Sequence, residues 1–128
     1  MMNPLRVLLV DDHDDMLTIM QLMMTQRGYS VATATSGAEA LALAPEFGPQ
    51  VVVSDIGMPG MDGYELMSTL RRASELQPFK SIALTGYDEP DDHQRAREVG
   101  YDAQLTKPVD FNSLFKVIDD LAMKIEPK

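Results

Sequence analysis

Residues 6–16 read RVLLVDDHDDM, a mostly apolar run from Arg6 to Val10 that passes without a spacer into Asp11, Asp12, His13, Asp14 and Asp15. The run lacks the polar alternation of a sheet with one wet face, so it reads as a strand covered on both sides. Four carboxylates packed behind it repel one another unless a positive group sits among some of them. Helix capping explains one or two, because aspartate favours the first turn of a helix and an apolar periodic segment begins at Met16. It does not explain four.

The pattern recurs along the chain. VVVSD (51–55), SIALTG (81–86) and AQLTK (103–107) are similar unalternating runs, and YSVATAT (29–35) alternates more and reads as an edge strand. Helical signals lie between them. Met16, Ile19, Met20, Met23 and Met24 stand at helical spacing and close at Gly28, and Ser36 with Glu39 forms a capping box before ALALA (40–44). A third helix follows Asp62, with Leu66, Met67 and Leu70 on one side. A fourth starts around Pro90 and ends at Gly100, and a fifth begins near Asp110 with Leu114, Phe115, Ile118 and Leu121 as its apolar face. Five repeats of strand then helix predict an α/β, doubly wound domain. The first helix holds much of the chain's methionine, and the spacing predicts core packing for it rather than a methionine-rich groove.

The bulk numbers narrow the function. At 128 residues the chain fits one domain, spanning 1–128. A formal charge of −9, from 11 basic and 20 acidic residues, argues against direct nucleic-acid binding and against an anionic membrane. No cysteine occurs, which excludes disulfides and thiolate metal sites. No stretch resembles a signal peptide or approaches membrane-spanning length, so a cytoplasmic protein is expected. The closing KIEPK (124–128) reads as a short polar tail.

Ligands of open parallel sheets bind outside the carboxyl ends of the strands. There the chain puts Asp11 and Asp12 after the first strand, Asp55 after the third, Thr85 after the fourth and Lys107 after the fifth. Carboxylates, a hydroxyl and a lysine on one edge suit the handling of a phosphoryl group with magnesium, which takes one or two carboxylates together with phosphate oxygens. An aspartate can act as nucleophile towards phosphorus, while Thr85 donates a hydrogen bond and Lys107 supplies compact positive charge. Small Gly86 leaves room for the incoming group.

Taken in order, LLVDDHDD (8–15), VVVSDIGMPGMDGYEL (51–66), SIALTGY (81–87) and LTKPVD (105–110) resemble the receiver domain of two-component response regulators over nearly the whole chain. The resemblance implies a flavodoxin-like (βα)5 fold with strand order 2-1-3-4-5, which would set the first and third strands side by side. It also implies that Asp55 is the phosphoacceptor. Asp11 and Asp12 would organise magnesium or manganese with Asp55 and the Gly57 carbonyl, and Thr85 and Lys107 would contact the phosphoryl group. Met58, Pro59 and Gly60 match the turn after the acceptor. The implied partner is a sensor histidine kinase or histidine phosphotransfer protein. The resemblance leaves room for a dimer formed on phosphorylation, and places Arg95, Gln104 and Lys116 on a partner face. No output domain is read in the chain.

One position departs from the family. Three residues before the lysine, where receivers commonly carry Tyr or Phe, this chain has Gln104, which cannot place a ring in the same pocket. With ALTGY and LTKPVD, this resembles receivers attached to hybrid sensor kinases or methylation enzymes. Other side chains read more plainly: Asp14 and Asp15 as helix-start acids, His13 as a polar helix-start residue because imidazole suits zinc or copper better than magnesium, and His93 as an exposed residue of a polar helix. Tyr87 and Gly57 flank the pocket. Two other classes use the same groups: a magnesium-dependent phosphohydrolase with an aspartate nucleophile, and a degenerate receiver serving only as a binding module.

Overall fold

Why these runs become strands is visible in their burial. The computed structural model describes residues 3–86 and 93–125. It holds β1 (Arg6–Val10), α1 (Asp14–Gln26), β2 (Ser30–Ala34), α2 (Gly37–Phe47), β3 (Val51–Asp55), α3 (Gly63–Arg72), β4 (Lys80–Thr85), α4 (His93–Val99), β5 (Ala103–Thr106) and α5 (Phe111–Ala122). All four strand pairings are parallel and the order is β2-β1-β3-β4-β5. Every residue of the central β3 is buried, which is why VVVSD needs no alternation, whereas the edge strands β2 and β5 are only partly covered.

Successive strand residues point to opposite faces, so one sheet builds two cores. Leu8, Val10, Val52 and Ala83 pack with Leu66, Met67 and Leu70 of α3 and with Ala96 of α4. Val7, Leu9, Val53, Ile82 and Leu84 pack on the other side with Leu17, Met20 and Met24 of α1 and with Leu114 and Ile118 of α5. The expected apolar faces of α3 and α5 are the buried ones.

The helix starts follow their chemistry. Ser36 accepts the Glu39 N–H at 3.1 Å, and Glu39 reaches back to the Thr35 N–H, also at 3.1 Å. Asp62 accepts the Glu65 N–H at 2.9 Å, and Asp110 caps α5 through the Asn112 N–H at 3.2 Å. At the far end of α2, Gly48 takes the left-handed conformation (φ 66°) that an L side chain resists.

Two details of α1 differ from the sequence reading. The buried stripe of α1 is Leu17, Met20 and Met24, while Met16 and Ile19 are exposed. Two apolar stripes run side by side on this helix, and only one fits between the sheet and α5. The N-cap of α1 is His13, with no side-chain capping bond, and Asp14 and Asp15 lie inside the first turn, where the helix dipole favours them. The described part of α4 begins at His93, so the expected start around Pro90, like Tyr87, falls outside the described residues.

Candidate functional site at the carboxyl edge of the sheet

Pairing of β1 with β3 sets Asp11 and Asp55 side by side, each one step beyond or at the end of its strand. Both carboxylates are withdrawn from water, at 2 % exposure for the Asp11 side chain and 4 % for Asp55. Lys107 follows β5 and reaches across to them, its Nζ 3.3 Å from Asp55 Oδ1 and 3.4 Å from Asp11 Oδ2. The Lys107 backbone N–H donates to the Thr85 carbonyl at 2.7 Å, so the end of β4 fixes where this lysine leaves the sheet. Thr85 is buried at that strand end.

The turn after β3 is held by backbone bonds. The Ile56 N–H donates to the Leu84 carbonyl at 3.1 Å, and the Ile56 carbonyl accepts from both Met58 (3.0 Å) and Gly63 (2.9 Å). Gly57 is exposed two residues after Asp55, and Gly60 has φ 74°. Gly63 has a different constraint. A Cβ there would stand 2.5 Å from the Asp55 carbonyl oxygen and 2.7 Å from the Ile56 Cα, so only glycine lets α3 start this close to Asp55. Its role was readable only as part of the small-residue stretch that follows Asp55.

The charges are unbalanced. Burial raises the Asp55 carboxyl to a pKa of about 6; Lys107 opposes that rise, and the Asp11 and Asp12 charges add to it. For Lys107, burial acts to lower the pKa, but the Asp55 and Asp11 carboxylates outweigh it and the net shift is upward. Asp12 Oδ1 is buried and makes no hydrogen bond. In a native site such an orphaned acceptor calls for an ion or water.

His13 is the residue whose place the sequence reading missed. Its backbone N–H donates to Asp11 Oδ1 at 2.9 Å, and its ring Nδ1 lies 3.0 Å from Asp11 Oδ1 and 3.3 Å from Asp12 Oδ1. The hydrogen bond to Asp11, helped by the charges of Asp12 and Asp11, raises its pKa. Asp14 and Asp15 are exposed on α1, as expected. His93 is exposed too, but its Nδ1 lies 2.7 Å from Gln104 Oε1, which ties α4 to β5 at the position of the departure.

Asp11, Asp12 and Asp55 offer three hard oxygen donors around an orphaned buried acceptor, a donor set that fits magnesium. The structure thus brings together Asp11, Asp12, Asp55 and Lys107, with Thr85 on the neighbouring strand end.

Comparison with known proteins agrees with this arrangement. A sequence model of the response regulator receiver domain matches residues 7–119. The protein PilH of Pseudomonas aeruginosa is 33% identical, over 89% of this chain and 94% of its own length. The transcriptional regulatory protein GlrR of Escherichia coli is 37% identical over 97% of this chain, which spans only 28% of GlrR. Among solved structures, the chemotaxis protein CheY4 of Vibrio cholerae superposes with a TM-score of 0.86 at 31% identity, covering 92% of this chain and 98% of CheY4. Asp11, Asp12, Asp55 and the lysine across from them therefore stand within a known fold: this chain belongs to the receiver-domain family of two-component response regulators.

Proposed function

We propose that Asp55 accepts a phosphoryl group from the phosphohistidine of a sensor histidine kinase or histidine phosphotransfer protein, in a reaction dependent on magnesium or manganese, and that phosphorylation switches the domain's conformation. One observation carries the reading: the Asp55 carboxylate is almost wholly removed from water yet, among the described residues, faces the one ammonium of Lys107, its Nζ at 3.3 Å. A bond forms between an Asp55 oxygen and phosphorus as the phosphorus–nitrogen bond of the donor breaks, and the departing imidazole nitrogen takes up a proton. Lys107 would meet negative charge on the phosphoryl oxygens, and the Thr85 hydroxyl would donate to them. Asp11, Asp12, Asp55 and the Gly57 carbonyl would hold the cation, which supplies positive charge against the repulsion between carboxylate and phosphoryl group.

Residues 1–128 act in this reading as one phosphoacceptor unit, working in the cytoplasm as kinship with other receivers supports. The exposed stripe of α1, with Met16 at 36%, Ile19 at 48% and Leu22 at 57% exposure, lies next to the pocket and suits a helical donor protein. Phosphorylation adds roughly −1.5 to −2 of charge and shifts a two-state equilibrium only as far as it favours one state. Arg95, Gln104 and Lys116 would face the output partner. Arg95 stacks over the Tyr64 ring at 4.1 Å and Gln104 meets His93, so engaging that face means remaking these contacts.

Intact-mass measurement after incubation with acetyl phosphate and magnesium tests the reading. One phosphoryl gain that vanishes in Asp55→Asn and with chelator is expected. Multiple turnover of phosphate esters without stable gain would favour the phosphohydrolase. No gain together with no magnesium binding would favour the binding module.

A further inference from the structure

Among the described residues, His13 brings the one imidazole to this pocket, beside the Lys107 ammonium, and the phosphotransfer reading gives it no task. One of its ring nitrogens, an Asp11 oxygen, an Asp12 oxygen and an Asp55 oxygen all lie within 4.8 Å of one another. Four donors held tetrahedrally about 2.1 Å from an ion sit about 3.4 Å apart, so these four close on a single ion with separations shortening by about 1.4 Å at most. Two features make the closure easy. The His13 ring is 67% exposed and already turned onto Asp11 and Asp12, and its backbone is pinned to Asp11 Oδ1 at 2.9 Å. His13 and Lys107 also border one open hollow, so an ion reaches the pocket past the imidazole.

The second observation is the orphan. Asp12 Oδ1, shielded from water and without a hydrogen bond although its side chain is 25% exposed, lies 3.3 Å from His13 Nδ1, which is also 3.0 Å from Asp11 Oδ1, so an ion bound among them would take the place of the Nδ1 proton. A purely oxygen site suits magnesium. Adding an imidazole shifts preference towards borderline divalent ions, for which nitrogen donors are better matched.

We propose that His13, through Nδ1, is a fourth ligand that lets the Asp11–Asp12–Asp55 pocket take a borderline divalent transition metal, zinc being the probe, in competition with magnesium. The inference rests on the cation-binding reading of that pocket. An ion of this class would occupy the carboxylates that magnesium uses, so its presence sets how much of the chain is competent for phosphoryl uptake.

The test uses the full chain. Titration calorimetry with zinc chloride and with magnesium chloride is run on the unaltered protein and on His13→Gln, and nitrogen NMR follows the histidine ring signals during the zinc titration, with His93→Gln assigning them. We expect His13→Gln to weaken zinc binding about tenfold or more and magnesium binding less than about threefold, and the His13 Nδ1 signal of the unaltered chain to move on zinc addition. An unmoved Nδ1 signal, or equal weakening for both ions, overturns the role of His13 while leaving the magnesium pocket standing. Binding of neither ion to the unaltered chain overturns both.

Discussion

The two ends of the sheet carry similar charged groups and treat them in opposite ways. At the amino edge, Arg71 at the end of α3 places every one of its donor nitrogens. Nε and Nη2 donate to the Gly100 carbonyl (3.0 and 2.7 Å), Nη1 to the Phe79 carbonyl (2.8 Å), and Nη2 also to Ser81 Oγ and Asp102 Oδ2 (2.9 Å each). Its guanidinium lies over the Phe79 ring at 4.1 Å, and Asp102 in turn accepts the Ser81 N–H at 2.8 Å. One cation thus ties α3, β4 and the start of β5 together. At the carboxyl edge, Asp11, Asp12 and Asp55 share Lys107 and an exposed histidine, one acceptor has no hydrogen bond, and burial holds a carboxyl near pH 6. A closed network stabilises a fold; an open one with excess charge of one sign is matched to something that arrives later.

That contrast can be broken at either end. The largest effect is expected at Asp55: Asp55→Asn abolishes phosphoryl gain by intact mass. It also leaves the metal-free chain at least as resistant to urea at neutral pH, because the change removes a buried charge beside two others. Next, Lys107→Met slows phosphoryl uptake from acetyl phosphate about a hundredfold, the scale of losing one charged stabiliser of a transition state, measured as the initial rate of mass gain.

The amino edge should respond in the other currency. Arg71→Ala costs about 2 kcal/mol of stability, since Asp102 and Ser81 lose charge-assisted bonds at a half-exposed site. Phosphoryl uptake per folded molecule is retained, and urea denaturation paired with intact mass separates the two. An effect of similar size is electrostatic. In the folded chain Asp55 holds its proton to about pH 6, against 3.8 ordinarily. Its contribution to stability is therefore greatest below the unfolded value and is lost as pH rises through about 6. The metal-free protein loses about 2 kcal/mol from this group between pH 4 and pH 7, a slope that Asp55→Asn removes and that urea midpoints across the range would reveal.

Much of this architecture is legible without coordinates. VVVSD and RVLLV lack alternation because strands covered on both faces need apolar residues in both directions, and Ser36, Asp62 and Asp110 mark helix starts because their oxygens satisfy free N–H groups. The acids and the lysine at strand ends could be picked out one by one, and the motifs they form carry the family resemblance. The strand order came only with that resemblance, since local pattern does not say which strands pair.

What distance in the chain hides, folding decided. Nothing local distinguishes the stripe of Leu17, Met20 and Met24 from that of Met16, Ile19 and Leu22; the space beside α5 selects the first and leaves the second in water. His13 looks like a helix-start residue until the bend after β1 turns its ring back onto Asp11 and Asp12. Gly63 and Arg71 owe their roles to contacts with the Asp55 carbonyl and with Asp102, partners too far along the chain for any spacing rule to join. By itself the sequence determined which segments form strands and helices and which chemistry stands at their ends, because periodicity and capping are local. Only the tertiary structure decided which charges are balanced and which are left open, because that depends on what burial brings together.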